Sequence, residues 1–214
     1  MNDRFFLLPA EKQRQIVNAA QKVFSQNAYK KASMSEIAGE SGVSKALLFH
    51  YFKNKKEFYL YLWQFSVNIV FEALKKFDTI ETQDFFEMLR RSLFAKCSVM
   101  RNHPCLFDFL LKAYYEQEPD IQQSIHNQYV DVSKRCEDRI FERIDTTGFR
   151  ADIDLKIMYK EIIMAIEGYM FHKYHAGTID PDEIEKDITI LLAHWRTVYC
   201  VSSATEGGTG WKKR

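Results

Sequence analysis

What most constrains this chain is how seldom it can turn. Its 214 residues include eight glycines and four prolines, and three of the glycines fall in the C-terminal stretch TEGGTGWKKR. The rest must run as long segments between short loops. Within those segments apolar residues recur at intervals of three and four, and no convincing alternating run suggests a strand. The spacing predicts an all-α fold of about nine helices without an internal repeat. With 46% hydrophobic residues, the chain can bury one substantial core, or a small domain joined to a larger one.

The helix starts are locally marked. Pro9 opens a first helix whose Ile16, Ala19, Ala20, Val23 and Phe24 form one apolar stripe, ending near Asn27. Ser33 followed by Glu36 reads as a capping box opening a short second helix through Ser41. Ser44 caps a third helix to about Phe52. Asn54 with Glu57 caps a long fourth one to about Phe77. Five more are expected at roughly 82–102, 104–116, 119–146, 153–176 and 181–203, with Pro104, Pro119 and Pro181 at three of the starts. The last eleven residues, 204–214, read as a frayed tail.

The net charge of +1 conceals an asymmetry. Residues 1–57 carry ten Lys/Arg against five Asp/Glu, and the remainder carries twenty against twenty-four. A basic N-terminal quarter on a faintly acidic body is expected where one end meets a polyanion. Cys97, Cys105, Cys136 and Cys200 form no CxxC pair and read as reduced thiols of a cytoplasmic protein. Cys97, His103 and Cys105 lack a fourth partner at any recognisable spacing, so no metal or other cofactor is expected. The four apolar residues before Pro9 are too few for a signal peptide. The run from Phe58 to Leu74 contains Gln64, Ser66, Asn68 and Glu72 and reads as a buried helix, not a membrane span.

The stretch SMSEIAGESGVSKALLFHYFKNKKEFY concentrates the functional signal. Ile37 and Ala38 lie on the inner face of the second helix, Gly42 turns the chain, Val43 plugs the corner, and Leu48 and Phe52 face inward from the third helix. This is a helix-turn-helix. Burying Leu48 and Phe52 leaves Lys45, Ala46, Phe49 and His50 on the side that can enter a major groove.

From about residue 10 to 60 the chain resembles the DNA-binding domain of TetR-type (tetracycline-repressor-like) transcriptional regulators. Ser33, Ala38, Gly42, Val43, Ser44, Lys45, Leu48, Phe52, Lys53 and Lys55 stand in the family's mutual spacing. The resemblance implies that Ser33 and Ser44 hold DNA phosphates, that Lys55 grips another with Lys53 assisting, and that Lys45 and Ala46 approach base edges. His50 and Tyr51 match positions that lie against the DNA backbone. Leu47 and Phe49 depart from the family, which often has a hydroxyl or amide and a tyrosine there. Any reading by these two must be apolar, for example against a thymine methyl.

The resemblance divides the chain into a DNA-binding domain at 1–54 and a helical effector-binding and dimerisation domain at 55–203. It implies a homodimer through the last two long helices, which carry Ile157, Ile162, Ala165, Ile166, Tyr169 and Ile184, Ile188, Leu191, Leu192, Trp195. A pocket for a mainly apolar or aromatic effector is expected among Trp63, Phe65, Phe94, Cys97, Phe109, Tyr114, His126, Tyr129, Tyr169 and His172. The partners implied are a palindromic double-stranded operator and a small molecule, with no membrane. An architectural or division-linked DNA-binding protein of the same fold, without an effector, is the alternative. A cavity or its absence among the middle helices discriminates the two. Glu161, Glu167, His172 and His175 offer no fixed nucleophile or third ligand, so no enzyme is expected.

Overall fold

The computed structural model describes residues 3–201. Among these, nine α-helices follow a 3-10 turn at Asp3–Phe5: α1 Ala10–Gln26, α2 Met34–Ser41, α3 Lys45–Tyr51, α4 Lys55–Lys76, α5 Phe85–Asn102, α6 Pro104–Tyr114, α7 Pro119–Phe141, α8 Leu155–Ala176 and α9 Pro181–Tyr199. The described residues form no β-strand, only an antiparallel bridge between Phe149 and Cys200. The tail expected at 204–214 lies outside them.

Most starts follow from short-range chemistry. The Ser33 hydroxyl accepts the Ser35 and Glu36 amides, Ser44 accepts that of Leu47, Asn54 that of Glu57, and Asp180 those of Asp182 and Glu183. Three bounds differ from expectation by three residues or more. α5 begins later than 82 because Asp84 is its cap, accepting the Glu87 amide at 3.0 Å. α7 stops at Phe141, and the Asp145 amide turns away to the Gln83 carbonyl at 2.9 Å. α9 ends at Tyr199 because Cys200 becomes extended to bridge Phe149.

Two hydrophobic clusters organise the helices. The first joins Phe5 and the buried faces of α1 to α4 with Phe109 and Ala113 of α6 and Ile121 and Ile125 of α7. The second joins Phe85, Phe86, Leu93 and Cys97 of α5 with Met158 and Ile162 of α8 and Ile184, Ile188 and Leu192 of α9. The first cluster crosses residue 54, so the DNA-binding segment shares its core with the body. α1 packs closely on α6, and α5 on α9 and α4. The backbone of α8 stands off from its neighbours, and polar and aromatic struts reach across. The Tyr129 hydroxyl donates to Glu167 (2.5 Å), that of Tyr169 to Asp187 (2.9 Å) and that of Tyr199 to Glu161 (2.8 Å), while Tyr115 stacks on Tyr174 at 4.8 Å.

Candidate nucleic-acid interface

The corner between α2 and α3 is built around Gly42. Its φ of 62° lies in the left-handed region, where a side chain is strained. In this conformation the Val43 amide reaches back to the Ala38 carbonyl at 3.1 Å and the Gly42 amide to Gly39 at 3.2 Å. This pair of hydrogen bonds closes the helix end. From α1, Lys12 donates to the Ser41 and Gly42 carbonyls at 3.0 and 3.2 Å, clamping the corner onto the first helix. Ala38 and Leu48 are buried beneath the corner, and Phe52 stacks on Phe58 at 4.0 Å.

With its inner side seated, α3 presents Ser44, Lys45, Ala46, Phe49 and His50 to solvent. The Lys45 ammonium has no hydrogen-bond or ion-pair partner among the described residues. Ser33 is exposed at the start of α2, and Lys53 at the turn into α4. The hydroxyls of Ser33 and Ser44 each accept backbone N–H groups and retain a proton to donate outward.

Three expected contacts are placed differently. Tyr51 is buried, edge-on to Phe5 at 5.8 Å, because it shares the inner i, i+3, i+4 stripe with Leu48 and Phe52. Leu47 is half-buried against the first core. The Lys55 side chain turns back into the α1–α2 loop. Its ammonium donates to the carbonyls of Tyr29, Lys30 and Ala32 at 2.8, 3.2 and 3.2 Å and lies over the Tyr29 ring. Burial pushes its pKa down.

The N-terminal turn adds groups that the sequence reading missed. Phe5 is fully buried among Tyr51, Phe52 and Tyr61, and this brings Arg4 to the end of α3, where its guanidinium lies 3.0 Å from His50 Nε2. The signal available was the aromatic pair before LLP, an unusual apolar cluster for an unanchored terminus.

The residues expected to line an effector pocket do not converge. Trp63 and Phe109 are packed in the first core and Cys97 in the second. Phe65 packs against the first core beside Tyr61, and Phe94 lies beneath the Arg90 guanidinium. His126 and His172 are exposed. Tyr114 and Tyr129 meet edge-on at 4.7 Å, and with Tyr169 they span the space between helices. A cleft of about 460 Å³ opens elsewhere, between α1 and the α5–α6 corner, bordered by the Lys22–Glu40 ion pair, His103 and Cys105.

Among the described residues no group of three or more His, Cys, Asp or Glu could hold a metal ion, and no helix is long and apolar enough to cross a membrane. Residues 16–62 match the family of bacterial regulatory proteins, tetR family. The chain is 30% identical over 184 residues to the HTH-type transcriptional activator FasR of Mycolicibacterium smegmatis (strain ATCC 700084 / mc(2)155), covering 85% of this chain and 81% of that protein. Its fold is shared with a TetR-like transcriptional regulator from Rhodococcus sp. RHA1, at TM-score 0.65 and 24% identity over 89% of this chain and 98% of the other. It is also shared with the fatty acid degradation regulator FadR from Bacillus halodurans, at TM-score 0.68 and 17% identity over 86% and 96%. A helix-turn-helix with a solvent-facing second helix, joined to this helical body and to these relatives, places the chain in the TetR family of DNA-binding transcriptional regulators.

Proposed function

We propose that this regulator acts in the cytoplasm as a two-fold dimer that represses transcription from a palindromic operator and is released by a small, mainly apolar or aromatic effector. The observation that carries the DNA reading is the outer face of α3, where Ser44, Lys45, Ala46, Phe49 and His50 are exposed together. Ser33 and Ser44 donate to phosphates, Lys53 adds charge at the α3–α4 corner, and Lys45 reaches a phosphate or a guanine edge. Ala46 permits close approach, and Phe49 offers a thymine methyl an apolar partner. His50, beside Arg4, lies at the edge of the contact. Lys55 acts by holding the loop behind α2, with the N-terminus of α4 left to face the backbone phosphates.

A dimer is supported by α8 and α9. Ile157, Met164 and Phe171 are seven residues apart on α8 and 64%, 60% and 50% exposed, and Ile190 and Val198 of α9 are also exposed. Such a stripe suits a second copy related by two-fold symmetry, giving a four-helix interface. Two heads then read half-sites with the same symmetry. The struts between separated helices favour an effector-binding body over a solid architectural one. An effector releases DNA only if it binds the released conformation more tightly.

FasR, the 30% identical relative, carries the name of an activator, which favours activation as the second reading. The two differ in where the operator lies relative to the promoter. Genomic fragment selection by the purified chain, followed by footprinting and transcription from the recovered promoter, tests both. A protected inverted repeat with reduced transcription is the expected result. Recovery of no sequence above non-specific DNA overturns the proposal.

A further inference from the structure

The N-terminal turn is fixed against the end of α3 by side chain and main chain together. Phe5 is 0% exposed, its ring 5.0 Å from that of Phe52, 5.5 Å from Tyr61 and 5.8 Å from Tyr51. Gln13 of α1 donates from Nε2 to the Phe6 and Leu8 carbonyls at 3.2 and 2.9 Å, and the Leu8 amide closes back on the Phe5 carbonyl at 3.2 Å. The backbone of the turn packs on α3 itself. Residues ahead of a first helix are ordinarily loose unless something ties them down. Here the tie is a buried aromatic ring, and it decides where the exposed neighbour Arg4 stands.

Arg4 stands at the last turn of α3, its guanidinium 3.0 Å from His50 Nε2. A guanidinium only donates, so Nε2 accepts, and the imidazole is the neutral form with its proton on Nδ1. The bond orients the guanidinium beside the exposed ring of His50. This end of α3 needs a cation if it is to face DNA, because the carbonyl end of a helix carries partial negative charge and opposes a phosphate. Lys45, the cation of α3, is at the opposite end, and the Lys53 ammonium lies 3.8 Å from the Glu57 carboxylate. The seven residues of α3 run about 10 Å at the rise of an α-helix, close to the ~12 Å width of a major groove. With Ser44 against the phosphates of one bank, the His50 end reaches the other. The anchored turn places Arg4 there in advance, without the entropy loss of ordering a loose arm on binding.

We propose that the N-terminal turn is a second DNA-contacting element, in which Phe5 is the anchor and Arg4, oriented by His50, holds a backbone phosphate on the bank of the groove opposite Ser44. The proposal rests on the reading of α3 as the groove helix. Its test is fluorescence anisotropy of the full chain on the operator duplex recovered by genomic selection, at several salt concentrations. Arg4→Gln reduces the slope of log affinity against log salt by about one for each head bound. Its Tm stays near that of the wild type because the side chain is exposed. Arg4→Lys keeps the charge and the slope. Ethylation interference supplies a readout that a merely structural role for Arg4 would not move. In each half-site one phosphate whose ethylation weakens wild-type binding becomes indifferent in Arg4→Gln. Phe5→Ala, which frees the turn, loses the same slope, and adding Arg4→Gln to it lowers the slope no further. The Arg4→Gln comparison stands even if Phe5→Ala fails to fold. An Arg4→Gln slope equal to that of the wild type, a slope lost equally in Arg4→Lys, or an interference pattern unchanged in Arg4→Gln overturns the proposal. Lys45→Ala, measured alongside, separates this failure from that of the α3 reading. A slope reduced by Lys45→Ala but not by Arg4→Gln removes the Arg4 contact and leaves α3 in the groove; a slope reduced by neither removes both.

Discussion

Replacing Lys55 by methionine separates a loop clamp from a phosphate ligand. Its ammonium donates to two part-buried carbonyls, of Tyr29 at 2.8 Å and Ala32 at 3.2 Å, and to an exposed one, of Lys30 at 3.2 Å. Hydrogen bonds to a charged group contribute about 1.5–3 kcal/mol each, and the exposed one far less because water replaces it. Releasing a partly buried ammonium returns part of that gain. The balance is a loss of about 2 kcal/mol. For a chain of this size that lowers Tm by about 4–8 °C. Lys53, 82% exposed and 3.8 Å from Glu57, serves as the control, with its Tm nearly unchanged on replacement by methionine.

The DNA assay distinguishes the two roles further. Loss of a phosphate ligand lowers the slope of log affinity against log salt by about one. Lys55→Met therefore lowers affinity with little change of slope, and Lys53→Met and Lys45→Ala reduce the slope. Differential scanning calorimetry and fluorescence anisotropy at several salt concentrations provide the measurements. An unchanged Tm with a slope reduced by one in Lys55→Met would refute the clamp.

Gly42→Ala places a side chain at φ 62°, and its Cβ meets Lys12 Nζ at an ordinary 3.6 Å, so backbone strain alone costs about 1–2 kcal/mol, seen as a lower Tm and weaker DNA retention. Met164→Lys, at a 60% exposed position, gives a monomer mass by light scattering at micromolar concentration with helical content retained; a persistent dimer counts against the α8–α9 interface. The Glu87 carboxylate, accepting from Arg90 and Arg91, has its pKa lowered from 4.5 to about 2. The stability from this depression is present above 4.5 and disappears as pH falls to about 2, so Glu87→Gln is destabilised by about 1–2 kcal/mol at pH 7 and the gap closes across that window in urea titrations. The Tyr59 hydroxyl is buried without a hydrogen-bond partner among the described residues, so Tyr59→Phe melts at or above the wild-type temperature, whereas a fall of several degrees reveals a partner in solution.

Helix starts were legible because their signals are local: Pro104, Pro119 and Pro181 each stand at the first helical position, and Ser33, Ser44, Asn54 and Asp180 cap as their spacing suggests. The helix-turn-helix was legible for the same reason, since Gly42 and the buried stripe lie within a few residues of each other. Tyr51 also carried a local signal, its i+3 spacing from Leu48, but its match to a family position obscured it. Lys55 depends on a partner loop more than twenty residues earlier, and which way such a lysine turns follows from tertiary packing.

The same packing shows how the body can act on the head. Tyr29 donates its amide to Glu116 at 2.9 Å, and Lys30 pairs with Glu118 at 2.7 Å, so the α1–α2 loop is tied to the α6–α7 loop. Lys55 ties that loop to α4, and a buried bond from Gln21 to the Ser66 hydroxyl at 3.0 Å ties α1 to α4. A shift of α6 or α4 would therefore carry the loop preceding α2, and with it the placement of α2 and α3. These links transmit a displacement but do not create one. A source requires an element with two arrangements between which a ligand discriminates. α8, whose backbone stands off from its neighbours and which is tied to α7 by the Tyr129–Glu167 bond and to α9 by the Tyr199–Glu161 bond, is better suited to that role than the close-packed core around Phe24, Tyr59 and Phe109.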